Sequence, residues 1–123
     1  MKIEQQVVSL ELAKKLKELG VKQESLFGHY RIGELYGIKT DRPIVTNEHS
    51  EWWSAFTVSE IGELLPRYIV HGDFTHELKI IRSSVWRFYY GDKIYLTAGT
   101  ADNEADARAQ MLIYLLENGL MTV

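Results

Sequence analysis

From residue 67 to residue 98 the sequence alternates as β-strands do, and no other stretch restricts the fold as tightly. Successive strand side chains point to opposite faces, so polar and apolar residues at a period of two read as a strand. A short strand is expected at 68–70, followed by "HELKIIR", "VWRFYY" and "KIYLTA". Gly91-Asp92 suits a two-residue hairpin turn, and Ser83-Ser84 is a weaker turn signal. Strands joined by such short turns pair antiparallel, which predicts a meander.

If both turns hold two residues, the register follows. Ile81 faces Trp86, Lys79 faces Phe88, Tyr89 faces Ile94 and Trp86 faces Thr97. One face carries Leu78, Ile80, Val85, Tyr89, Ile94, Leu96 and Ala98, with Arg87 as its misplaced member. This is the expected core face. The other carries Glu77, Lys79, Ile81, Trp86, Phe88, Tyr90, Lys93, Tyr95 and Thr97. Its rings could stack on bases or grip a peptide. Trp86, Phe88, Tyr95, Lys79 and Lys93 are then the binding residues. Large exposed aromatic patches are uncommon on monomers. The competing readings are a second small core, roofed by a short helix or by the loop with Trp52 and Trp53, and a symmetric dimer.

Helices flank this run. Ser9 stands where a cap is needed before Leu12, Ala13, Leu16 and Leu19, and Gly20-Val21 reads as the stop. Thr57 with Glu60 three residues later is a capping box, Val58, Ile61, Leu64 and Leu65 form the stripe, and Pro66 ends it. A last helix is expected from Asn103 as cap to Glu117, stopping at Asn118-Gly119-Leu120. "ESLFGHYRIGELYGI" reads as a strand bent at its glycines. "KTDRPIVTNEHSE" reads as a loop with a short edge strand at 44–46. The predicted class is α+β: an antiparallel meander of about four to five strands packed against N-terminal and C-terminal helices, with one short additional helix. It would form a two-layer or α–β–α sandwich.

At 123 residues, 46% hydrophobic and 25% charged, the chain fits one globular domain spanning 1–123. Its net charge of −3 disfavours a protein that lives on phosphate contacts. With no cysteine, thiolate metal sites and cysteine nucleophiles are excluded. "MKIEQQVVSL" lacks a signal-peptide core, and "MLIYLL" is far short of the ~20 apolar residues of a membrane span. The expectation is a soluble cytoplasmic protein, not bound to membranes.

Three clusters invite a chemical reading. His71, Asp73 and His76 in "HGDFTHE" are metal-ligand types, but their spacing fits no zinc motif and Gly72-Asp73 reads as a turn. Ser50 beside His49 cannot form a nucleophile–base pair on an extended chain. The acids Asp102, Glu104 and Asp106 favour the positive end of the last helix, with Glu104 placed to pair with Arg108. No phosphate loop or dinucleotide motif is present, and no cofactor or catalytic residue is expected.

"VVSLELAKKLKELGVKQESLF", "AFTVSEIGELLP" and "EADARAQMLIYLLENGL" together resemble small proteins of unknown function encoded in phages, prophages and related mobile elements. The resemblance covers most of the chain in the same order. It implies a helix-flanked sheet and a mobile-element context, and it brings no catalytic residues. The leading expectation is a non-enzymatic accessory protein that binds another protein, or its own copy, through the aromatic face. A single-stranded nucleic-acid-binding module is the alternative, and a metal-dependent enzyme around His71, Asp73 and His76 the third.

Overall fold

A computed structural model describes residues 2–40, 50–90 and 99–122. It shows an α+β fold in which helices pack against an antiparallel meander. After a 3-10 turn at Ile3–Gln5 come α1 (Leu10–Glu18), β1 (Phe27–Ile32), β2 (Leu35–Lys39), β3 (Ser50–Ala55) and α2 (Val58–Leu64). Then follow β4 (Tyr68–His71), β5 (Phe74–Arg82), β6 (Trp86–Tyr90), β7 (Gly99–Ala101) and α3 (Glu104–Glu117). The meander is a four-stranded sheet in the order β4-β5-β6-β7, and β2-β1-β3 form a separate three-stranded sheet.

The helix ends follow their local chemistry. The Thr57 hydroxyl accepts the Glu60 N–H at 3.3 Å, and the Glu60 carboxylate accepts the Thr57 N–H at 2.9 Å. Such reciprocal bonds satisfy backbone donors that a helix start leaves free. Asn103 caps α3 by accepting the Asp106 N–H at 2.7 Å. Gly119, at φ +66°, turns the chain so that the Leu120 N–H reaches the Leu115 carbonyl at 2.9 Å. Ser9 departs from expectation. It holds the cap position of α1, but its hydroxyl makes no capping bond. Its N–H instead donates to Asp106 Oδ1 at 2.7 Å, from an acid that sequence reasoning assigned only to the start of α3.

The segment expected as one bent strand is a hairpin. Gly33, at φ +63°, and Glu34 make a two-residue turn that closes on the Ile32–Leu35 pair. Gly28 does not break β1 but lies beneath a ring: a Cβ there would sit 1.9 Å from Cζ2 of Trp52. The "WW" segment expected as a loop is the body of β3, paired with β1 from Phe27–Ala55 to Ile32–Ser50. The edge strand expected at 44–46 lies outside the described residues.

One buried passage ties the elements together. Val7 and Val8 are fully enclosed. The Val8 N–H donates to the Phe56 carbonyl at 2.9 Å, and its own carbonyl lies 2.7 Å from Nε2 of His29. A carbonyl can only accept, so Nε2 carries the proton. Burial holds the His29 pKa below its usual value, while the Val8 carbonyl and the Asp106 charge pull the other way.

α3 is buried on more than one side, with Ala105, Ala107, Ala109, Met111, Leu112, Ile113 and Leu115 all enclosed. The alanines let it approach β7, where a Cβ on Gly99 would lie 3.0 Å from the Ala107 carbonyl oxygen.

Two stability outcomes follow. Gly28→Ala forces the Trp52 ring aside and should cost about 1–3 kcal/mol, read from the urea midpoint at constant slope; an unchanged midpoint would contradict the packing. His29 is a base with a depressed folded pKa, so its contribution is complete above roughly pH 6.5 and is lost as pH falls through the folded value. The wild-type urea midpoint should therefore drop between about pH 7 and 5 more than that of His29→Gln, which keeps a donor but does not titrate. Parallel pH profiles would refute this.

Candidate interaction surface

The turn between β5 and β6 decides which side chains face outward. It holds three residues, Ser83, Ser84 and Val85, with the Ser83 N–H donating to the Val85 carbonyl at 3.0 Å. Arg82 therefore pairs with Trp86, Ile81 with Arg87, Ile80 with Phe88 and Lys79 with Tyr89. The two-residue turn expected from sequence would have shifted each pair by one. A one-residue slip reverses a strand's faces relative to its neighbour. Trp86, Phe88 and Tyr90 consequently share the helix side with Leu78, while Arg87 and Tyr89 point away. The misplaced arginine of the expected core face is thereby explained.

The pairing of β6 with β7 differs too. Trp86 stands opposite Ala101 and Phe88 opposite Gly99, where the Gly91-Asp92 turn would have brought Thr97 to Trp86. That turn lies outside the described residues.

The expected binding set is thus not brought together. Phe88 is 0% exposed, with the Arg108 guanidinium 4.7 Å from its ring centre and Trp86 stacked at 6.4 Å. Tyr90 is enclosed as well, and its hydroxyl donates to the Pro66 carbonyl at 2.5 Å. Burial raises its pKa well above the usual phenol value, keeping that donor protonated. Lys79 is exposed, but on the opposite face. Lys93 and Tyr95 lie outside the described residues. Trp86 remains half-buried beneath the Arg82 guanidinium, 5.1 Å from the ring centre.

Trp86 and Arg82 border a cleft of about 760 Å³ with Gln5, Thr57, Asn103 and Glu104. Much of its polar lining is already engaged. Thr57 and Asn103 cap their helices, and Glu104 holds Arg108 at 2.8 Å. No three His, Asp, Glu or Cys side chains converge to hold a metal among the described residues. Asp73 is exposed in the turn between β4 and β5, with His76 on the helix-side face. Two lysines of α1 cover Trp53: Lys14 and Lys17 lie 4.9 and 5.9 Å from a ring centre.

One surface that stays open is the far face of the four-stranded sheet. Tyr68 is 51% exposed, Val70 67% and Ile81 46%. Register places Lys79 beside Tyr89, Ile81 beside Arg87, and Tyr68 beside Glu77. Arg67 lies 5.5 Å from the Tyr68 ring centre and 3.7 Å from the Glu77 carboxylate. Cations thus outnumber carboxylates here, in a chain of net charge −3. An apolar patch rimmed by charges is the usual form of a macromolecular contact surface. Sequence reasoning missed it because a turn one residue shorter exchanges the two faces of β6.

No protein-family model, no curated protein and no solved structure matches this chain. No helix among the described residues is long and apolar enough to cross a membrane.

The exchange of faces is measurable. Phe88→Ala should cost about 3–5 kcal/mol, as loss of a buried ring does, whereas Ile81→Thr should stay within about 0.5 kcal/mol. Equal effects in urea unfolding would contradict the assigned register.

Proposed function

We propose that this chain is a non-enzymatic cytoplasmic accessory protein, of the mobile-element kind its sequence resembles, that binds a macromolecular partner through the open face of the four-stranded sheet. The observation that carries this reading is the exposure of Tyr68, Val70 and Ile81 on one face together with Lys79 and Arg87. Burying such side chains in a contact removes apolar area from water, at roughly 25 cal/mol per Å². The charges around them would select orientation and partner. A photo-crosslinking residue placed at Ile81 should give a discrete adduct in host cells, and the same residue at Lys22, on an exposed loop away from this sheet, should give none. No adduct at Ile81, or the same adduct at both positions, would sink the reading.

A second reading is favoured by the cations. Lys79 stands opposite Tyr89 and Arg87 lies two residues before it on β6, and an aromatic side chain among cations suits single-stranded nucleic acid. Anisotropy of a labelled oligonucleotide should then rise on titration. Binding should weaken steeply with salt and by about tenfold in Arg87→Glu. A flat titration at low salt would remove this reading and leave a protein partner.

A further inference from the structure

We propose that β4 is a self-association seam, where the free edges of two copies pair antiparallel about a two-fold axis. Antiparallel partners alternate between those that exchange hydrogen bonds and those that do not. The Leu78 N–H donates to the Arg67 carbonyl at 2.8 Å, just before β4 begins. Counting from that pair, Ile69 and His71 turn their backbone toward β5. Tyr68 and Val70 turn their N–H and C=O groups outward. These are also two of the exposed apolar residues of this sheet.

The other strand edges carry protection that β4 lacks. On the outer edge of β3, Lys17 Nζ donates to the Trp52 carbonyl at 2.8 Å, and Gln23 Oε1 accepts the Ser54 N–H at 2.8 Å. On β7, Gln110 Oε1 accepts the Thr100 N–H at 3.1 Å. β2 ends on Lys39. Plugs, breaks and lysines are the usual means by which edges are kept from pairing. Between Arg67 and Asp73, β4 has only Tyr68, Ile69, Val70 and His71 before the Gly72 turn. Among the described residues no side chain plugs it.

The charges identify the occupant. Arg67 precedes the strand and Asp73 stands in the turn after it, both exposed. Antiparallel pairing centred on Val70 brings the Arg67 end of each copy beside the turn that carries Asp73 of the other. Opposite charges then meet at both ends of the seam. A strand read in its own reverse direction supplies this match, so the edge is complementary to a second copy of this chain. The hold of Glu77 on Arg67 is long and solvent-exposed, which leaves the guanidinium available. The seam uses the backbone edge rather than the open face. Oligomeric state therefore tests it separately from any partner that the face binds.

The test is sedimentation equilibrium of the purified full chain over a concentration series. The wild type should be a dimer. Val70→Pro removes the central N–H, which no bond to β5 uses, and should give a monomer with unchanged circular dichroism. Val70→Lys, which sets like charges across the two-fold axis, should do the same and guards against misfolding of the proline variant. Arg67→Asp and Asp73→Arg should each weaken the dimer by about tenfold, and the double exchange should restore it. A wild type that stays monomeric, or a dimer that survives both Val70 variants in folded form, overturns the seam. A double exchange no better than either single change overturns the antiparallel match and, with it, the second copy as occupant.

Discussion

The backbone at Val8 and Ser9 is where this fold is locked. An extended passage buried among side chains has no water to satisfy its N–H and C=O groups, and an unpaired group costs about 1–3 kcal/mol. Here each group finds a different element. The Val8 N–H reaches the β3–α2 connection, the Val8 carbonyl reaches His29 on β1, and the Ser9 N–H reaches Asp106 on α3. The three partners come from the two sheets' flanking elements and from nearly the full length of the chain. None of these bonds can form until the elements are docked, so the passage makes secondary structure conditional on tertiary structure. At the start of α1 the backbone N–H of the cap residue, Ser9, is held by a charged carboxylate.

That lock places α3, and α3 in turn sorts the four-stranded sheet. A helix enclosed along most of its length needs small residues where the strands come close, which Ala107 and Gly99 provide together. It also needs large side chains where the sheet falls away, which Phe88, Trp86 and Tyr90 provide. The aromatic residues of β6 thus belong to the core. The face left to solvent takes its chemistry from the residues between them, Arg87 and Tyr89, and from Lys79 and Ile81 on the neighbouring strand.

What could be read from sequence was what depends on neighbours within a turn or two. Thr57 with Glu60, Asn103 with Asp106, and Gly119 with Leu120 are local arrangements, and both α2 and α3 stand where they indicate. The first three strands of the meander were legible for the same reason; the fourth, expected at 93–98, lies outside the described residues, and β7 stands at Gly99–Ala101. The register was not. "SSV" can close a hairpin with two residues or three, and β6 is apolar enough on either face to suit both. The glycines misled in another way: Gly28 and Gly37 read as breaks but are spaces for the rings of Trp52 and Tyr30 on adjacent strands. The Ser9–Asp106 bond spans 97 residues and leaves no local signal. The expected binding surface failed at Phe88 because its position rested on the register, the least local of these inferences.

The polar inventory then limits where function can reside. Several polar groups are consumed by construction. Asp106 and Glu104 hold helices, His29 and Tyr90 satisfy buried carbonyls, and Lys17 and Gln23 seal an edge. A group so engaged would have to abandon a buried partner to act on a ligand. Tyr68, Val70 and Ile81 stay exposed on one face of the four-stranded sheet, where exposure costs solubility and adds nothing evident to the core. Apolar surface kept in water while other edges are plugged points to contact with another macromolecule at Tyr68, Val70 and Ile81.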